Sequence, residues 1–105
     1  MIVHTKHNRR YRITFNVYDG LGQKSEYVPI VRCEIVDETN IDSPVGLASE
    51  CAYYNPVDAC LGLPFSVEVG KKLSFGKALN KIFAGDSYKG IRGHMWALYR
   101  ANNHR

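Results

Sequence analysis

No stretch of the chain approaches the ~20 consecutive apolar residues that a membrane-spanning helix needs, and neither an internal repeat nor a low-complexity tract interrupts its 105 residues. A helical anchor, a repeat array and a flexible linker between domains are thereby set aside. The opening segment MIVHTKHNRRYR turns charged before a signal-peptide core forms, so the expected location is the cytoplasm, with no membrane contact. Cysteine is scarce and odd in number: Cys33, Cys51 and Cys60 suit reduced thiols in a cell interior rather than a disulfide framework.

Metal-ligand spacing is missing too. Cys51 and Cys60 stand far apart, and His4, His7, His94 and His104 are scattered, so no metal is expected and no cofactor is implied. Gly70 and Gly76 lie inside a helical pattern rather than in a strand–turn–helix, which removes GKKLSFGK as a phosphate loop. No catalytic residue is assigned. A hydrolase or transferase using Cys60 or a histidine is the least favoured class, since a cysteine nucleophile needs a neighbouring base that no flanking signature supplies. Cys33 and Cys51 are expected to point into a sheet's core as small hydrophobes.

Acidic residues are almost absent from one half. Residues 1–69 hold six Lys/Arg against nine Asp/Glu, whereas residues 70–105 hold eight Lys/Arg against Asp86 alone. The formal charge of +4 is therefore a C-terminal property. Such polarity is the footprint of a nucleic-acid or acidic protein partner, or equally of ordinary solvated helix faces.

What is present reads as a single α+β domain over residues 1–105. Tyr11–Tyr18 alternates as a strand, Asp19-Gly20-Leu21-Gly22-Gln23 supplies turn chemistry, and a return strand spans about Glu26–Val36. Pro29 belongs on an edge or at a bulge, and an exposed edge beside it leaves room for a homodimer by sheet extension. Val45–Tyr54 is a third strand, with Val45, Leu47, Ser49, Cys51 and Tyr53 on one face. Met1–Thr5 is either a strand start or a mobile end, and Asn55-Pro56-Val57-Asp58 is a turn or single helical turn.

The expected cover for this small three-stranded antiparallel meander is one long amphipathic helix from about Phe65 to Ala84. Leu73, Phe75, Ala78, Leu79, Ile82 and Phe83 form its apolar stripe, Lys77 and Lys81 lie opposite, and Gly85 marks its exit. Gly76 allows the helix a close approach to the sheet or to a second helix, expected from about Tyr88 to Ala101. There Ile91, Met95 and Leu98 have helical spacing and Met95, Ala97, Tyr99 and Ala101 also alternate as in a strand, with length and helix formers favouring helix. Candidate partner-binding residues are Lys71, Lys72, Lys77 and Lys81 on the first helix, Arg92 and Arg100 on the second, and the acidic loop residues Asp37, Glu38 and Asp42. The lysines suit phosphate contacts with direct nucleic-acid binding, and Tyr53, Tyr54, Tyr88, Trp96 and Tyr99 would add stacking rings. The acidic residues suit a basic groove on a protein.

Two segments carry a resemblance. Ala52-Tyr53-Tyr54-Asn55-Pro56-Val57-Asp58-Ala59-Cys60 and Gly70-Lys71-Lys72-Leu73-Ser74-Phe75-Gly76-Lys77-Ala78-Leu79, with Arg92, Trp96 and Tyr99 beyond, cover about half the chain. They resemble small phage and mobile-element accessory proteins reading A-x-C-N-P-x-D-x-F, then G-R-K-x-A-x-G-R-A-L, then an Arg…Trp…Tyr helix. Lys71 and Lys77 replace the usual arginines, and Leu61-Gly62-Leu63-Pro64 is an insert. Lysine lacks arginine's bidentate fork, which weakens any guanidinium-specific contact. The resemblance implies an anti-defence factor in the cytoplasm of a bacterial host, most concretely an anti-CRISPR protein that binds a CRISPR effector complex stoichiometrically. A small basic nucleic-acid-binding accessory protein is the alternative.

Overall fold

The computed structural model describes residues 1–5, 7–22, 27–54 and 60–103. Its strands are β1 (Ile2–His4), β2 (Arg10–Leu21), β3 (Tyr27–Asp37) and β4 (Val45–Tyr53); its helices are α1 (Val67–Ile82) and α2 (Lys89–Asn103), joined through a short 3-10 turn, Asp86–Tyr88. The strands form one antiparallel sheet in the order β1-β2-β3-β4. The architecture is α+β, with four strands where three were expected.

The additional strand is β1. Val3 pairs with Tyr11 and is fully buried, and the Met1 ammonium donates to the Ile13 carbonyl at 2.9 Å. Three residues are too few to display an alternation, so tertiary pairing alone makes this segment a strand.

β2 and β3 pair along their full length, Leu21 opposite Tyr27 through Tyr11 opposite Asp37. Asp19, Gly20 and Leu21, expected in the turn, therefore continue the strand. A Cβ on Gly20 would stand 3.0 Å from Ile30 Cδ1, so glycine here makes room for a cross-strand neighbour rather than a bend. Gln23 and Glu26 lie outside the described residues, as does all of Asn55–Asp58, expected as a turn or single helical turn.

Pro29 lies in a central strand, not at an edge: it pairs with Asp19, and its carbonyl accepts from Tyr54 N at 3.0 Å. Both main-chain groups of a strand residue point to the same side. The missing N–H of Pro29 thus faces β4 where that strand ends, and the β2–β3 ladder loses nothing. Among the described residues the sheet's edge strands are β1 and β4, which removes the edge expected beside Pro29.

β4 presents the opposite face from the one expected. Ala48, Glu50 and Ala52 stand opposite Ile35, Cys33 and Val31, on the core side. An irregularity at Ile35/Val36 skips Leu47, and the extra residue reverses the alternation. Cys33 is buried as expected, whereas Cys51 pairs with Arg32 on the open face.

α1 starts two residues later than expected, because Ser66 caps it by accepting from Val69 N at 3.2 Å. It ends at Ile82, and Gly85 has φ 92° as its position required. Phe75, Ala78, Leu79 and Phe83 are buried, with Gly70 and Ser74 beside them, but Leu73 is 54% exposed. The buried arc is shifted towards β4, leaving Leu73 outside it. Close approach to the sheet occurs at Gly70, where a Cβ would lie 2.6 Å from Val31 Cγ2; Gly76 has ordinary clearance, 3.6 Å from Trp96.

α2 completes the core with Met95 and Tyr99. Phe75 stacks on Tyr99 at 5.2 Å and meets Trp96 edge-on at 4.8 Å, while Phe15 approaches both Phe75 and Tyr99 edgewise. Buried aromatics of this kind contribute about 2–3 kcal/mol each by transfer, plus ~1 kcal/mol per well-oriented pair. Trp96 and Tyr99 are therefore structural rings, not a stacking platform. The first turn of α1 lies over Val31, so the hairpin beyond Val31 projects past the helix and leaves Val17, Leu21 and Tyr27 exposed.

Candidate protein-binding surface

The nine candidate residues do not assemble into one charged patch. Asp37 and Glu38, at the exit of β3, are held by arginines of β2 and the turn before it. Arg9 Nη1 reaches Asp37 Oδ2 at 3.3 Å, and Thr39 N donates to Asp37 Oδ1 at 2.8 Å. Hydrogen bonds from Thr39, and then the Arg9 charge, hold the Asp37 carboxyl below the ordinary carboxylate value. Glu38 receives Arg12 Nε at 2.5 Å and lies 3.7 Å from Arg10 Nε. The register makes this inevitable, because Tyr11 pairs with Asp37 and brings the arginine-rich strand start beside the acidic strand end. Asp42 is exposed, in a loop where its N–H donates to Asn40 Oδ1.

On α1 the lysines serve the fold. Lys71 lies with Nζ 5.8 Å from the Phe15 ring centroid. Lys77 Nζ donates to the Cys51 carbonyl at 2.9 Å, and Lys81 lies 3.5 Å from Glu50 Oε1, so both lean over β4 rather than pointing away from the sheet. Arg92 donates to the carbonyls of Phe83 and Gly85, closing the end of α1. Lys72 and Arg100 are exposed. The structure thus distributes Lys71, Lys77, Lys81 and Arg92 among separate internal contacts.

The open face of the sheet carries a smaller polar cluster. Arg32 Nη2 donates to Tyr18 Oη at 2.9 Å with its guanidinium 5.4 Å from that ring, and Cys51 Sγ lies 3.8 Å from the same hydroxyl. Arg32 also faces Glu34 at 3.9 Å. Burial and the Cys51 contact push the Tyr18 hydroxyl pKa up, so the ring stays neutral.

A surface that spacing had not indicated lies where the end of β4 meets the start of α1. Ala52, Tyr53 and Tyr54 form one wall; Leu63, Pro64, Phe65, Val69 and Leu73 form the other, enclosing a groove of about 400 Å³ with Gly70 at its floor. Tyr54 packs against Phe65 at 5.6 Å, and its hydroxyl donates to the Leu63 carbonyl. Tyr53, Leu61, Leu63, Val67, Val69 and Leu73 are all exposed. The groove reaches the edge of the sheet. Tyr54 N bonds to β3, so strand alternation turns the main-chain groups of Tyr53 and Cys51 outward, and Lys77 covers the Cys51 carbonyl. Sequence did offer a clue in the apolar run formed by the insert Leu61-Gly62-Leu63-Pro64 and Phe65, but only long-range packing shows that it joins Val69 and Leu73.

Among the described residues, no group of three or more His, Cys, Asp or Glu side chains is gathered to hold a metal ion, and no helix is long and apolar enough to cross a membrane. Cys60 and His94 are both exposed, on different segments. No protein-family model matches the chain, and neither the curated proteins nor the solved structures contain a match.

Proposed function

We propose that this chain is a stoichiometric binding protein that works by occupying the surface of a protein partner, most concretely a phage or mobile-element inhibitor of a CRISPR effector. The observation that carries the reading is the contrast in what is left unsatisfied. Lys71, Lys77, Lys81, Arg92, Asp37 and Glu38, six of the nine charged candidates, are engaged within the fold, whereas Tyr53, Leu63, Val69 and Leu73 surround an open apolar groove. A grouped apolar exposure of this kind marks a protein interface more often than a phosphate-reading one. Occlusion requires affinity alone, and the polarised charge of the chain would speed encounter. The resemblance of its two segments to phage accessory proteins supplies the choice of partner.

The test is titration of purified chain into a panel of purified CRISPR effectors, reading target cleavage. Complete inhibition near one equivalent supports the reading, and inhibition far below one equivalent replaces it with a catalytic one. Submicromolar binding to DNA or RNA at low salt, lost steeply as salt rises, would favour the nucleic-acid-binding alternative.

A further inference from the structure

We infer that the groove beside β4 takes an extended segment of a protein partner, added as a fifth strand, in which large apolar residues alternate with carboxylates. This deepens the proposed function and rests on the chain being a protein-binding domain. Two observations converge on it. β4 is a sheet edge whose outward main-chain groups at Tyr53 and Cys51 are oriented to pair with another strand. Val69 and Leu73 stand outside the buried arc of α1 and line the groove together with Ala52 and Tyr53 of that edge strand. An added strand would lie ~4.8 Å outside β4, and its core-side residues would therefore enter the groove against Val69 and Leu73.

The charge requirement comes from the rim. Lys72 and Lys77 stand three and four residues from Val69 and Leu73 respectively, close neighbours on the helix surface. Glu68 accepts from Tyr99 Oη on the α2 side, and Glu50 is occupied by Lys81, so neither offers a counter-charge to the rim. Lys77 now covers the Cys51 carbonyl. An incoming strand would supply an N–H to that carbonyl and release the ammonium to a carboxylate at its next core-side position. An isolated apolar peptide leaves the ammonium without an anion, and an isolated acidic one leaves the groove empty.

A second copy of this chain is a poorer occupant. The core-side residues of β4 are Ala48, Glu50 and Ala52. Two alanines are too small to fill about 400 Å³, and Glu50 is already paired with Lys81. Nucleic acid has no amide backbone with which to extend a sheet.

The experiment is selection of random linear 12-residue peptides, displayed on phage, against the immobilised full chain, followed by fluorescence anisotropy with the enriched peptides as labelled probes. Expected enrichment is of large apolar and Asp/Glu residues two positions apart. Leu73→Arg should weaken binding ~10-fold or more and Lys77→Met about 3- to 10-fold, by loss of an anchor and of a charge partner, with the unfolding midpoint unchanged in Leu73→Arg and lowered only slightly in Lys77→Met, which loses the bond to the Cys51 carbonyl. The inference is overturned if no peptide is enriched, if the enriched peptides lack carboxylates, or if Leu73→Arg binds them normally. It is equally overturned if the chain sediments as a dimer that Leu73→Arg dissociates, for the groove then belongs to a second copy. Effector inhibition that survives Leu73→Arg would keep the proposed function and discard this groove; selection of such peptides by a chain that inhibits no effector would do the reverse.

Discussion

Phe75 and Leu73 are two residues apart on the same helix and meet opposite fates. Phe75 is 0% exposed, enclosed by Phe15, Trp96 and Tyr99; Leu73 borders an open groove with Val69 and Tyr53. One side of α1 holds the sheet and α2 together, and the other is left open beside the groove. Apolar content therefore does not distinguish buried from exposed positions in a domain of this size. Position relative to the sheet edge does.

Phe75→Ala should show the largest effect and fix one end of the contrast. Emptying that aromatic cluster is expected to cost ~3–5 kcal/mol, read as a fall in the denaturation midpoint at constant slope. Gly70→Ala comes next at about 1–3 kcal/mol, because its Cβ would strike Val31; pairing it with Val31→Ala should recover much of that loss in a double-mutant cycle. The exposed Lys81–Glu50 pair is worth about 0–1 kcal/mol, so Lys81→Ala should barely move the midpoint. Leu73→Ser closes the series within about 0.5 kcal/mol of the parent. A loss comparable to that of Phe75→Ala would dissolve the contrast between the two sides of the helix.

Much of this division was legible in the chain. β2 and α1 follow from periodicity because each is long enough to show it, and the burial of Phe75 and Leu79 follows with them; α2 has spacing that fits helix and strand alike, and only its length and helix formers favour the helix that forms. β1 is too short for its three residues to outvote the charged run behind them. The face of β4 is not legible from alternation, because one skipped residue, Leu47, inverts everything before the irregularity relative to everything after it. Candidate residues fared less well than elements. Whether a lysine is solvated or bonded to a carbonyl more than twenty residues away, as Lys77 is to Cys51, depends on how α1 lies across the sheet, and helical spacing carries no such information. The same holds for Asp37 and Glu38, whose arginine partners are set by hairpin register.

Burial pushes the Cys33 thiol up to about 12, with Glu34 adding to the rise from the ordinary 9.0. The folded value exceeds the unfolded one, so this group's contribution to stability is whole below about pH 9 and declines as pH rises towards 12. Alkaline denaturation of Cys33→Val should accordingly begin at higher pH than that of the parent, after referencing each to its own neutral stability. A superimposable pair of curves would contradict the assigned cause.

The same buried sulphur offers an intrinsic clock. Cys51 is half-covered and Cys60 lies at the surface, so a thiol reagent consumes those two while the layers remain closed. Consumption of the third equivalent must wait for sheet and helices to part, and its lag, timed against reagent concentration, reports how often an unaltered molecule breathes.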